Sequence, residues 1–96
     1  MSLPTPERYR ETVNIPGLGD VPMVEMAGRD REAFDVASYA ASETKDFAGM
    51  RTRLIVASID DAGAEAWLDG IPGRFIEPLY EAACRVNGMG DEAGKS

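Results

Sequence analysis

The residue types that most often carry out bond-making chemistry are scarce in this chain. It contains no histidine, so the commonest general base and metal ligand is absent, and neither a Ser-His nor a Cys-His nucleophile pair can form. The single cysteine, Cys84, follows Ala83 in an amphipathic segment, and we interpret it as a small core or boundary residue and not as a nucleophile. We therefore expect no catalytic residue, no cofactor and no metal site.

Two further segments have some likeness to ligand-binding motifs. Asp60 and Asp61 could contact a hard cation, but the spaced acidic ligands and the glutamate of an EF-hand loop do not follow them. We interpret them as turn-forming carboxylates. The C-terminal GMGDEAGKS has Met89 where the phosphate-loop pattern requires glycine. The sequence therefore indicates a binding protein and not an enzyme.

The charge of the chain is strongly negative. Ten basic and 17 acidic residues give a net charge of −7 and a pI near 4.4, which repels nucleic acids and anionic lipid within a Debye length of about 8 Å. The longest wholly apolar run, residues 54–57, is too short to cross a bilayer, and no secretory signal is evident. We expect a cytoplasmic protein that binds neither nucleic acid nor membrane.

The pattern of apolar residues predicts a single α+β domain. We expect it to span residues 11–88, between a flexible arm (1–10) and a flexible tail (89–96), with a small antiparallel sheet of two hairpins and two main helices packed on one side. The first predicted hairpin pairs residues 11–15 with 21–26 around the turn Pro16-Gly17-Leu18-Gly19. Pro22 lacks an N–H donor, so either its strand is an edge strand or the pairing begins after it.

The second predicted hairpin lies in the middle of the chain. Residues 50–59 are aliphatic on both faces at their centre, and residues 64–68 would return antiparallel, with Trp67 covering the core. Asp60-Asp61-Ala62-Gly63 would form the turn, with Gly63 in the left-handed conformation.

Two segments have helical spacing. One spans residues 29–45, and the other begins with Pro78 in its first turn, after a short turn over 74–77, and ends at Asn87-Gly88.

The order of these segments resembles one known family. VNIPGLG…VEMAG, GRDREAF, RTRLIVASIDDAG and IPGRFIEPLYEAACRVNGMG follow one another, as similar motifs do in the tail assembly chaperones of long-tailed bacteriophages and prophages. The resemblance covers residues 11–90. The segment LDGIPG departs from it, because the family often has a more acidic segment there.

The resemblance implies a non-enzymatic role. Such chaperones bind the long helical tape measure protein, keep it soluble, help to recruit tail tube subunits around it, and are absent from the mature virion. A long apolar helix offers room for adjacent copies, so self-association is compatible with this role. We place the partner-binding surface at the sheet edge and the last helix. The candidates, for each of which core packing is the alternative, are Met23, Met26, Phe75, Leu79 and Tyr80.

A different class of function is also compatible with the charge. An acidic inhibitor or DNA-mimic protein of phage or plasmid origin would present rows of carboxylates near phosphate spacing. Here RDRE and MRTR place arginines among the acids, which disfavours a mimic. The genes on either side would discriminate between the two, since a tail tube gene upstream and a very long gene downstream indicate a tail chaperone.

Overall fold

In the part of the chain that the structure describes, one β-hairpin is followed by four α-helices. The computed structural model describes residues 3–4, 6–47 and 49–89. The elements in chain order are β1 (Arg10–Ile15), β2 (Gly19–Val24), α1 (Gly28–Thr44), α2 (Met50–Ser58), α3 (Ala64–Gly70), a single 3₁₀ turn (Gly73–Phe75) and α4 (Ile76–Val86). The α+β class is confirmed.

The predicted first hairpin is confirmed. β1 and β2 pair antiparallel, with Val13 opposite Val21 and Glu11 opposite Met23. Gly17 has a φ of 85°, a conformation that glycine adopts without the steric cost of a side chain. The Leu18 N–H closes the turn on the Ile15 carbonyl at 2.9 Å. The sheet has two strands, so β2 is an edge strand, as the missing N–H of Pro22 indicated. The other side of β2 makes one isolated bridge, from Met23 to Ile59.

The predicted second hairpin is wrong, because residues 50–58 and 64–70 are helical. A short apolar run fits a buried strand and a buried helix equally well, and here packing selects the helix. Leu54, Ile55 and Ser58 are buried at helical spacing along α2, which packs against α4. The β-branched residues of the run favour a strand only weakly, so tertiary contacts override them. Ile59 alone is extended, and it bridges Met23.

The turn between α2 and α3 also differs from its prediction. The Asp61 carboxylate accepts a hydrogen bond from the Gly63 N–H at 2.7 Å, so it is a turn-forming group as expected. Gly63 has a φ of −89° and not the left-handed conformation, because it leads into a helix instead of completing a bulged hairpin. Trp67 is 38% exposed and lies at the edge of the core without covering it.

Helix α4 follows its prediction closely. Pro78 lies in its first turn, where a missing N–H costs no helical hydrogen bond. At the other end Gly88 has a φ of 71°. The Met89 N–H bonds to the Cys84 carbonyl and the Gly88 N–H to that of Arg85, the two bonds that define a Schellman motif. Helix α1 is confirmed within one residue at each end.

The hydrophobic core lies between the inner face of the hairpin and helices α2 and α4. The two segments expected to be flexible are only partly described: residues 1, 2, 5 and 90–96 lie outside the described residues. Within the expected arm, the Tyr9 N–H donates to Glu25 Oε1 at 2.7 Å. The buried core residues are Val13, Ile15, Val21, Met23, Met26, Phe34, Leu54, Ile55, Ile59, Ala64, Leu68, Phe75, Leu79, Ala82, Ala83, Cys84 and Val86.

Candidate functional site

An apolar groove of about 570 Å³ is lined by residues of α1, α2 and α4 and of the segments that follow α1 and α4. We call it the α2–α4 groove. Its volume falls in the ~300–1,000 Å³ range of sites that accept a ligand or several side chains. Residues from four stretches of the sequence line it: Phe34, Ser38, Phe47, Gly49, Met50, Arg51, Thr52, Ile76, Tyr80 and Met89.

The groove is an extension of the core that reaches the surface. Met50, Ile76, Tyr80 and Met89 are partly buried and pack against the core cluster. Phe47 follows α1 and is 58% exposed. Large apolar groups at a surface depression are typical of a contact site for another apolar molecule. Methionine side chains are flexible and polarisable, so the groove can adapt to partner side chains of different shapes.

Arg51 forms the polar edge of the groove. Its guanidinium Nη1 lies 2.7 Å from Glu77 Oε1 in an ion pair, and its Cζ lies 5.4 Å from the centre of the Tyr80 ring. Both side chains of the ion pair are more than half exposed, so the pair contributes at most about 1 kcal/mol. The pair therefore adds little to the stability of the fold.

Tyr80 and Cys84, one turn apart on α4, are held in their neutral forms. Burial raises the pKa of Tyr80 above 10.0, and a hydrogen bond with Cys84 raises it further. Burial also raises the pKa of the Cys84 thiol above 9.0, although the hydrogen bond with Tyr80 partly opposes this shift. A protonated, buried thiol is a poor nucleophile. The Tyr80–Cys84 pair therefore contributes packing to the groove.

The structure separates the five residues that the sequence suggested for partner binding. Tyr80 lines the α2–α4 groove. The other four are buried: Met23 in β2, Met26 before α1, Phe75 in the 3₁₀ turn and Leu79 in α4. Core packing, the alternative role named for each of them, accounts for their positions.

Sequence reasoning missed most of the groove. Met50 and Met89 each follow a glycine and lie far apart in the sequence, and no local pattern indicates that they line the same groove. Phe47 gave the clearest signal available, an aromatic residue within the polar segment that follows a helix. Arg51 falls within the segment that the sequence predicts as a strand, and its position beside Tyr80 depends on the packing of α2 against α4.

The groove contains no group of ligands for an ion. Among the described residues, no cluster of three or more cysteine, aspartate or glutamate side chains could hold a metal. No helix in the described part of the chain is both long and apolar enough to cross a membrane. The arrangement suits non-covalent contact with an apolar surface.

Comparisons of the chain with protein-family models, with characterised proteins and with solved structures find no match.

Proposed function

We propose that this protein is a tail assembly chaperone of a long-tailed bacteriophage or prophage, acting in the bacterial cytoplasm. In this role it binds the tape measure protein, keeps that protein soluble and promotes the addition of tail tube subunits. The observation that carries the proposal is the α2–α4 groove, an apolar depression of about 570 Å³ on a small acidic domain. The ordered motifs over residues 11–90 support the same assignment.

The dimensions of the groove suit part of one helix face. An amphipathic helix presents apolar side chains at positions i, i+3, i+4 and i+7, and such side chains dock into hydrophobic grooves. One groove would cover a few of these side chains, so a long helix would take many copies. Weak individual binding combined with multivalency would give a soluble complex that later comes apart as tube subunits arrive.

The charge pattern favours this proposal over an acidic DNA mimic. Four ion pairs place arginine beside a carboxylate on the described surface, among them Arg51–Glu77 and Arg85–Glu11. Rows of uninterrupted carboxylates at phosphate spacing, which a mimic requires, are therefore broken by cations.

Co-expression with the tape measure protein encoded beside it tests the proposal. We expect the intact chain to raise the soluble yield of that protein and to co-purify with it. Phe47→Ser removes an apolar side chain that lines the groove and is 58% exposed. The fold should therefore persist while co-purification falls at least fivefold. Tyr39→Ser is the matched control, because Tyr39 is 70% exposed and does not line the groove.

Two results would count against the proposal. A wild-type chain that neither solubilises nor co-purifies with the tape measure protein would contradict the function. An equal loss of co-purification in Phe47→Ser and Tyr39→Ser would contradict the groove as the contact surface.

A further inference from the structure

A second depression lies on a different part of the molecule, between the hairpin and helix α3. Its volume is about 290 Å³, at the lower limit of the ~300–1,000 Å³ range of small-molecule sites. Three buried apolar residues, Val21, Ile59 and Ala64, line it together with the half-exposed indole of Trp67. We call it the Trp67 pocket. A space of this size accepts one long side chain more readily than a cofactor.

Two carboxylates that line the Trp67 pocket have no cationic partner among the described residues. Asp20 accepts a hydrogen bond from Asn14 Nδ2 at 2.9 Å, and Asp61 accepts one from the Gly63 N–H at 2.7 Å. Neither forms an ion pair with any lysine or arginine in the described part of the chain, whereas the neighbouring Asp60 is paired with Arg10. The pocket therefore combines an apolar lining, an aromatic side chain and unneutralised negative charge.

We propose that the Trp67 pocket binds an arginine side chain of a protein partner. The methylene groups of arginine match the apolar lining, its guanidinium stacks on an indole face, and its planar donors match carboxylate oxygens. Lysine offers a compact, strongly hydrated charge and fits this combination less well. The net charge of −7 attracts a basic segment toward the pocket. This site is distinct from the α2–α4 groove and does not depend on the function proposed for it.

Trp67 is the only tryptophan in the chain, so its fluorescence reports directly on the pocket. The experiment titrates the protein with N-acetyl-Gly-Arg-Gly-amide and, separately, with the same tripeptide carrying citrulline in place of arginine. Citrulline keeps the shape of the side chain and removes its charge. We expect the arginine peptide to change the Trp67 fluorescence in a saturable way and the citrulline peptide to bind at least tenfold more weakly.

The double variant Asp20→Asn, Asp61→Asn tests the carboxylates while preserving the local structure, because each amide retains an oxygen that can accept the existing hydrogen bond. We expect it to bind the arginine peptide at least tenfold more weakly. Asp69→Asn is the matched control, since Asp69 is exposed on α3 outside the pocket, and its affinity should stay within twofold of wild type. Phe47→Ser should also bind the peptide normally, which separates this site from the groove.

Three results would overturn the proposal: a change that does not saturate, equal affinity for the arginine and citrulline peptides, or wild-type affinity in the double variant.

Discussion

Asn87 joins the end of α4 to the end of α2 through the hydroxyl of Ser58. The Asn87 Nδ2 donates to Ser58 Oγ at 2.8 Å, and Ser58 is fully buried. On its other side, the Asn87 Oδ1 accepts from the Met26 N–H at 2.8 Å, in the segment between β2 and α1. One side chain thus satisfies polar groups from two distant parts of the chain, as burial requires.

Asn87→Ala should destabilise the fold substantially. It leaves the Met26 N–H without an acceptor and the Ser58 hydroxyl without its donor, and each unsatisfied buried group costs about 1–3 kcal/mol. We expect the free energy of unfolding, measured by urea denaturation, to fall by at least about 2 kcal/mol. Asn14→Ala is the control, because Asn14 bonds to Asp20 on the exposed hairpin. An equal loss of unfolding free energy in the two variants would contradict a special role for Asn87.

Leu79→Ala should destabilise the fold more than any surface change. Leu79 is fully buried within the core, and removing such a side chain leaves a cavity that costs about 2–5 kcal/mol. Thermal unfolding followed by circular dichroism should show a large fall in Tm. The exposed Tyr39→Ala on α1 should stay within about 0.5 kcal/mol of wild type. A mild effect of Leu79→Ala would mean that α4 does not pack as described.

Gly17→Ala should weaken the hairpin. Gly17 has a φ of 85°, a conformation that costs a residue with a side chain roughly 1–2 kcal/mol. The added methyl group would lie 3.5 Å from the Phe75 ring, an ordinary contact, so the backbone strain alone should account for the loss. Gly70→Ala in α3 is the control and should be neutral or slightly stabilising, since nothing lies within 4 Å of the added group. Comparing the urea midpoints of the two variants checks this prediction.

Stability should fall at alkaline pH through Tyr80 and Cys84. Burial raises the pKa of both groups in the folded state, so the unfolded chain loses these protons first. The contribution of the two groups to the free energy of unfolding is fully present below the ordinary thiol pKa of 9.0. It is lost as the pH rises through their higher pKa values in the folded state. Urea unfolding between pH 7 and pH 11 should show this slope. Cys84→Ala should flatten it, and an unchanged slope in that variant would exclude the thiol as a source.

Local chemistry predicted the elements at the two ends of the domain. The alternation of residues 11–15, the Pro16-Gly17 turn and the edge position of Pro22 require only neighbours in sequence, and the hairpin forms as they indicate. The same holds for α4, where Pro78 marks the first turn and Asn87-Gly88 the end. A turn residue or cap acts over a few positions, so the sequence alone carries its effect.

The middle of the chain was decided by tertiary packing. Residues 50–58 contain a short apolar run that fits either a strand or a helix, and contact with α4 buries Leu54 and Ile55 when the run is helical. The α2–α4 groove depends on that choice, because it brings Met50 and Arg51 beside Tyr80.

The sequence by itself determined the charge of the chain, its first hairpin, its first and last helices and its lack of histidine. Only the tertiary structure decided which side chains share a surface, since residues far apart in the chain become neighbours through packing.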